Sequence, residues 1–123
     1  MKEYNPYELL DEIEKIYPKF CKAKGNLAQF EAFRHSLKAI EMSKSEAHTI
    51  GGKEMDAYKS QAFQELCEAI GLATEETEMH KQAIDLAKLK WETWRTEQAN
   101  NRNIERLIKW QITLKITLKF NSF

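Results

Sequence analysis

The sequence predicts an all-α protein built as a long antiparallel helical hairpin, coiled-coil-like, with a short N-terminal helix and a strand-like C-terminal tail. The first observation is a repeat. Phe63, Leu66, Ile70 and Ala73, then Ile84, Ala87, Trp91 and Trp94, step by three, four and three residues. That spacing places apolar side chains every 3.5 residues, the seam of a coiled coil. The second is composition: 31% charged and 42% hydrophobic residues, with only four glycines and two prolines among 123. Such a balance suits long helices and excludes a loop-rich or disulfide-stapled domain. The third is a strict period-two alternation at the end of the chain, which is a strand signal.

Asn5-Pro6 reads as a helix start, with Asn5 as the cap and Pro6 in the first turn, where its missing N–H costs nothing. Leu9, Ile13 and Ile16 form one apolar face, and Glu8, Asp11, Glu12 and Glu14 the solvated remainder. Pro18 disfavours helical geometry at Tyr17, so this first helix is expected to bend or end there and to lie across one end of the hairpin. A second segment runs from about residue 19 to 45 along Phe20, Ala23, Leu27, Phe30, Phe33, Leu37 and Ile40. From Ser43 to Lys53 the pattern dissolves into serines, Thr49 and Gly51-Gly52, the expected turn. A short helical piece at Glu54–Tyr58 leads into the long segment, about 60–109. Its seam is interrupted by Thr77 and His80 and turns polar at Gln98 and Asn101, where the hairpin partner is expected to stop. Ile112, Leu114, Ile116, Leu118 and Phe120 then alternate with Thr113, Lys115, Thr117 and Lys119. One domain over residues 1–110 followed by a tail over 111–123 is the expected organisation.

The formal net charge is zero, from 19 bases and 19 acids, which implies neither a general nucleic-acid binder nor an acidic mimic. The charge is unevenly spread. Residues 61–80 hold five acids and no base, while residues 81–123 hold nine bases and four acids. This polarity complements a helix dipole. Cys21 and Cys67 are far apart, and the opening residues carry no leader pattern. We therefore expect reduced, core-lining thiols in a cytoplasmic protein. No run of eighteen apolar residues offers a membrane span.

The run Glu41-Met42-Ser43-Lys44-Ser45-Glu46-Ala47, the run Leu72-Ala73-Thr74-Glu75-Glu76 and above all Trp94-Arg95-Thr96-Glu97-Gln98-Ala99-Asn100-Asn101-Arg102 resemble small helical accessory proteins of tailed phages and prophages. The resemblance covers about residues 42–106 and carries no catalytic signature. It implies a phage origin and an accessory role, adjusting host machinery as inhibitors of CRISPR or other defence systems do, or helping phage recombination.

No catalytic, cofactor or metal set is expected. Gly51-Gly52-Lys53 lacks the spacing and the preceding strand of a phosphate loop. Glu76 and His80 share a helix face, but a seam histidine more often fixes register than holds a metal. The partner-binding candidates are Lys88, Trp91, Trp94, Arg95, Arg102 and Arg106. Lys81, Lys88, Arg95, Arg102 and Lys109 recur every seven residues and so form one line, with Arg106 beside it. This line could meet phosphates or pair with the acids Glu8, Asp11, Glu12 and Glu14. Trp91 and Trp94 fit either core packing or an interface anchor. The expected protein is therefore non-enzymatic and acts by binding a host protein or ribonucleoprotein complex, with nucleic-acid binding or a structural oligomer as alternatives. A homodimer would cover the stripe that two helices leave open.

Overall fold

The computed structural model describes residues 5–121. Three helices follow one another: α1, Pro6–Lys44; α2, Ile50–Lys59; and α3, Gln61–Asn121. α1 and α3 pack against each other, and α2 closes the corner between them. At ~1.5 Å per residue α1 is about 58 Å long and α3 about 92 Å. The mismatch determines the shape of the molecule.

The expected seam is the observed one. Phe63, Leu66, Ala73, Thr77, Ile84 and Ala87 are buried, and Ile70, His80, Trp91 and Trp94 are half-buried. From α1 they meet Leu9, Ala23 and Leu37, which are buried two heptads apart, with Ile13, Ile16, Phe20 and Leu27 half-buried between them. Leu37 clusters with Phe63 and Leu66, and Ile70 packs against them. Lys19, Lys22, Ala23 and Asn26 line a cleft with Glu76 and His80. The helices are thus antiparallel, and in that register Leu9 falls level with Trp91 and Trp94. Thr77 is the polar layer of the seam; its hydroxyl is satisfied by donating to the Ala73 carbonyl at 2.7 Å.

Each helix start has a local cause. Asn5 accepts from the Tyr7 N–H at 3.0 Å, as the capping pattern predicts. Thr49 accepts from Gly52 N–H at 3.0 Å and so starts α2. Ser60 separates α2 from α3 by a single residue with extended backbone. Its hydroxyl donates to the Ala57 carbonyl at 2.7 Å and accepts from Phe63 N–H at 3.2 Å, serving both helix ends. Around this corner Tyr58 meets the Phe63 ring edge-on at 5.2 Å, Arg34 lies 6.0 Å from Phe63, and Lys38 lies 5.0 Å from Tyr58.

Four expectations are corrected. There is no separate N-terminal helix, because α1 runs through Pro18. Pro18 is exposed on the outer face, so the Glu14 carbonyl it leaves without a donor faces water. Docking of Leu9, Ile13 and Ile16 on the surface that also takes Ala23 offsets the lost bond. The strand-like tail is helical: α3 continues to Asn121, and no strand occurs among the described residues. An existing helix gains one hydrogen bond for each residue it adds, whereas a lone strand has nothing to pair with. Thr113 and Thr117 turn their hydroxyls back onto the carbonyls of Lys109 and Thr113, each at 2.9 Å. Gly51 and Gly52 lie in the first turn of α2 rather than in the loop, which is only residues 45–49. Both cysteines are free, as expected, but exposed rather than core-lining.

Candidate functional site

The candidate surface is the part of α3 that outruns α1. Every residue from Asn101 to Asn121 is exposed, and Gln98 is the first seam position left open. The polar turn of the seam at Gln98 and Asn101 therefore marks the end of the hairpin, as the sequence predicts. Beyond it, nine large apolar side chains between Ile104 and Phe120 are 42–73% exposed. The same stretch, residues 98–121, carries five bases (Arg102, Arg106, Lys109, Lys115 and Lys119) against one acid, Glu105, a net charge of +4.

Helical geometry sorts these side chains into two apolar rows. Residues four apart advance by about 400°, so they share a face with a slow drift. Ile108, Ile112, Ile116 and Phe120 make one row, which continues the line of the hairpin seam. Leu107, Trp110, Leu114 and Leu118 make another on the opposite side. A period-two pattern laid on a helix gives this result, since alternate residues are about 200° apart. The sequence Ile-Thr-Leu-Lys repeated at 112–115 and 116–119 carries a four-residue period as well as a two-residue one. That second period is the signal by which the rows could have been found. Arg102, Lys109 and Lys119 flank the isoleucine row, while Arg106, Asn103, Leu107 and Trp110 line a shallow groove on the leucine side.

The sequence candidates fall into three groups. Trp91 and Trp94 are half-buried under the first turn of α1, with their rings 5.5 Å apart and tilted by 31°. Lys88, Arg95 and Arg102 are exposed on one line with Lys81 and Lys109. None of these five bases forms an ion pair with the acids of α1 among the described residues. Arg106 belongs with Trp110, which stands outside the six partner-binding candidates although the sequence places it on the stretch expected to project beyond the hairpin. The exposed tryptophan of the surface is thus Trp110, 64% exposed, rather than the Trp91–Trp94 pair.

Two other clusters of polar side chains lie outside this surface. His80 Nε2 stands 3.6 Å from a Glu76 carboxylate oxygen, and among the described residues no group of three metal-ligating side chains forms. At the α2 corner, Arg34, His35 and Lys38 line a cleft with Tyr58 and Phe63. Lys38 is engaged there: hydrogen bonding to Tyr58 raises its pKa above the ordinary value, and the Glu54 carboxylate at 3.6 Å adds to the rise. Among the described residues no helix is long and apolar enough to cross a membrane. Comparison of the chain with protein-family profiles, with curated proteins and with solved structures gave no match.

Proposed function

We propose that this is a non-enzymatic binding protein whose working part is the projecting end of α3, presented by the hairpin as a rigid, basic, apolar arm. The observation that carries this reading is the exposure of nine large apolar side chains beyond the last residue of α3 that α1 covers. A helix apolar on opposite sides is stable in water only marginally and is usually buried in an assembly. Anchors at Ile108, Ile112, Ile116 and Phe120 match the spacing by which a helix fills a groove in another protein, and the flanking bases match an acidic rim. The partner class is a host protein or ribonucleoprotein complex, and the resemblance of residues 42–106 to phage accessory proteins favours inhibition of a defence or nucleic-acid-processing complex. The test is capture of partners from a bacterial lysate by the full chain and by the double variant Ile112→Asp with Ile116→Asp. Loss of the captured complex with unchanged helix content supports the reading. Equal capture by both proteins would overturn it.

A second reading rests on the line Lys81, Lys88, Arg95, Arg102 and Lys109, all exposed. Such a line can follow a phosphate backbone, and binding would then weaken steeply with salt as counterions are released. Changing Lys88, Arg95 and Arg102 to Glu should abolish a shift of DNA or RNA at low salt. Absence of any shift by the unaltered protein removes this reading and leaves the first.

A further inference from the structure

The outer face of α3, turned away from α1, carries a second heptad stripe. Leu72, Met79 and Leu86 recur every seven residues, Leu89 follows three after Leu86, and all four are 53–67% exposed. The same three-and-four stepping then passes through Thr93, Thr96, Asn100 and Asn103 and becomes apolar again at Leu107, Trp110 and Leu114. Two shallow grooves lie on this face in succession. One is lined by Leu89, Glu92, Thr93, Thr96, Glu97 and Asn100, the next by Asn103, Arg106, Leu107 and Trp110. The stripe is therefore apolar, polar, apolar along its length, and it has no cover from α1 or α2.

The pattern is self-complementary when read backwards. We infer that this face is a homodimer interface in which the α3 helices of two copies pack antiparallel about a twofold axis near Gln98. In that register Leu86 of one copy meets Trp110 of the second, and Leu89 meets Leu107. The polar middle pairs Thr93 with Asn103 and Thr96 with Asn100, the kind of buried polar layer that fixes coiled-coil register. Twofold symmetry makes every one of these contacts twice.

Charge selects the same arrangement. Two projecting ends side by side in parallel would set a net +4 against a net +4, which is repulsive. Antiparallel packing instead sets the basic end against the acidic half of the other copy, which holds Glu75, Glu76 and Glu78. The helix dipole does not account for that acidic run, because the dipole acts only over the first turn and these residues begin fourteen positions into α3. Beside the stripe, Arg106 of one copy falls between Asp85 and Glu92 of the second. All three are exposed, and none forms an ion pair within its own chain among the described residues. The isoleucine row on the opposite side stays open in this dimer, so the inference stands apart from the proposed partner-binding role.

Sedimentation equilibrium of the full chain at rising concentration should show a dimer. Leu107→Asp should abolish it, and Arg106→Glu should weaken it roughly tenfold. Adding Asp85→Arg and Glu92→Arg to the Arg106→Glu chain should restore it. Circular dichroism serves as the check that these exposed substitutions leave the helices intact. With Cys21 and Cys67 changed to Ser, a cysteine introduced at Ala99 should be joined to its twofold mate by a short bismaleimide. One introduced at Gln61 should not, since the two copies of that residue lie about 110 Å apart in the antiparallel arrangement. A monomer at all concentrations, a dimer indifferent to Leu107→Asp, or cross-linking at Gln61 as readily as at Ala99 would each overturn the inference.

Discussion

Residues 63–94 and 98–121 of α3 form one uninterrupted helix, yet the physical situation of the two halves is opposite. The first half has a face for α1 and buries Phe63, Leu66, Ala73, Ile84 and Ala87 on it. The second half carries large apolar residues at higher density and buries none of them. Hydrophobicity therefore does not set which part of this helix is core; the reach of α1 does. Both halves carry apolar side chains on two opposed faces, but only the first half has one of those faces covered, by α1.

The largest test of this contrast compares two phenylalanines. Phe63 is 4% exposed in the core at the closed end of the hairpin, and Phe120 is 73% exposed on the arm. Phe63→Ala should cost about 3 kcal/mol in urea unfolding, the lower end for emptying a packed aromatic site. Phe120→Ala should change stability by no more than about 0.5 kcal/mol, as exposed substitutions do. Equal losses would mean that the arm is folded back on the hairpin.

A smaller effect sharpens the role of α1. If docking against α3 is what carries the helix through Pro18, Pro18→Ala should raise the midpoint of thermal unfolding. The expected gain is about 1–3 kcal/mol, from a regained hydrogen bond and better helix propensity. No gain would show that the fixed backbone geometry of Pro18 is needed for the fit.

Smallest is a pair of glycines. Gly71 has open space where a Cβ would go, so Gly71→Ala should stabilise the covered half by roughly 0.5–1 kcal/mol. At Gly52 a Cβ would stand 2.9 Å from Thr49 Oγ1 and 3.0 Å from the Ala47 Cβ. Gly52→Ala should therefore disturb the cap of α2 and lower stability in spite of alanine's higher helix propensity. A gain at both sites would show that the Thr49 cap tolerates displacement.

The hairpin was legible because its signals are local or periodic: the Asn5-Pro6 cap, the seam from Phe63 to Trp94 and the polar turn at Gln98. What misled was ambiguity between periods. Ile112 to Phe120 satisfies a two-residue and a four-residue repeat at once, and the helix already formed upstream decides between them. Pro18 misled for another reason. A proline on the outer face costs one solvated hydrogen bond, and its tolerance depends on packing that sequence spacing does not reveal. The arm surface was half legible. Arg102 and Arg106 are on it, but Trp91 and Trp94 belong to the hairpin, and the exposed tryptophan is Trp110.

The single-residue break at Ser60 also has a consequence for how the molecule assembles. It brings Leu37 and Phe63 together across only a short stretch of chain, while Leu9 must find Trp94 across most of it. Closing the short loop costs less entropy, so the α2 corner is the natural starting point and the two long helices zip together outward from it. Amide exchange should record the same gradient in reverse. Protection should be greatest around Phe63 and Leu66, fall steadily towards Leu9 and Trp94, and be least in the arm unless a second copy holds it.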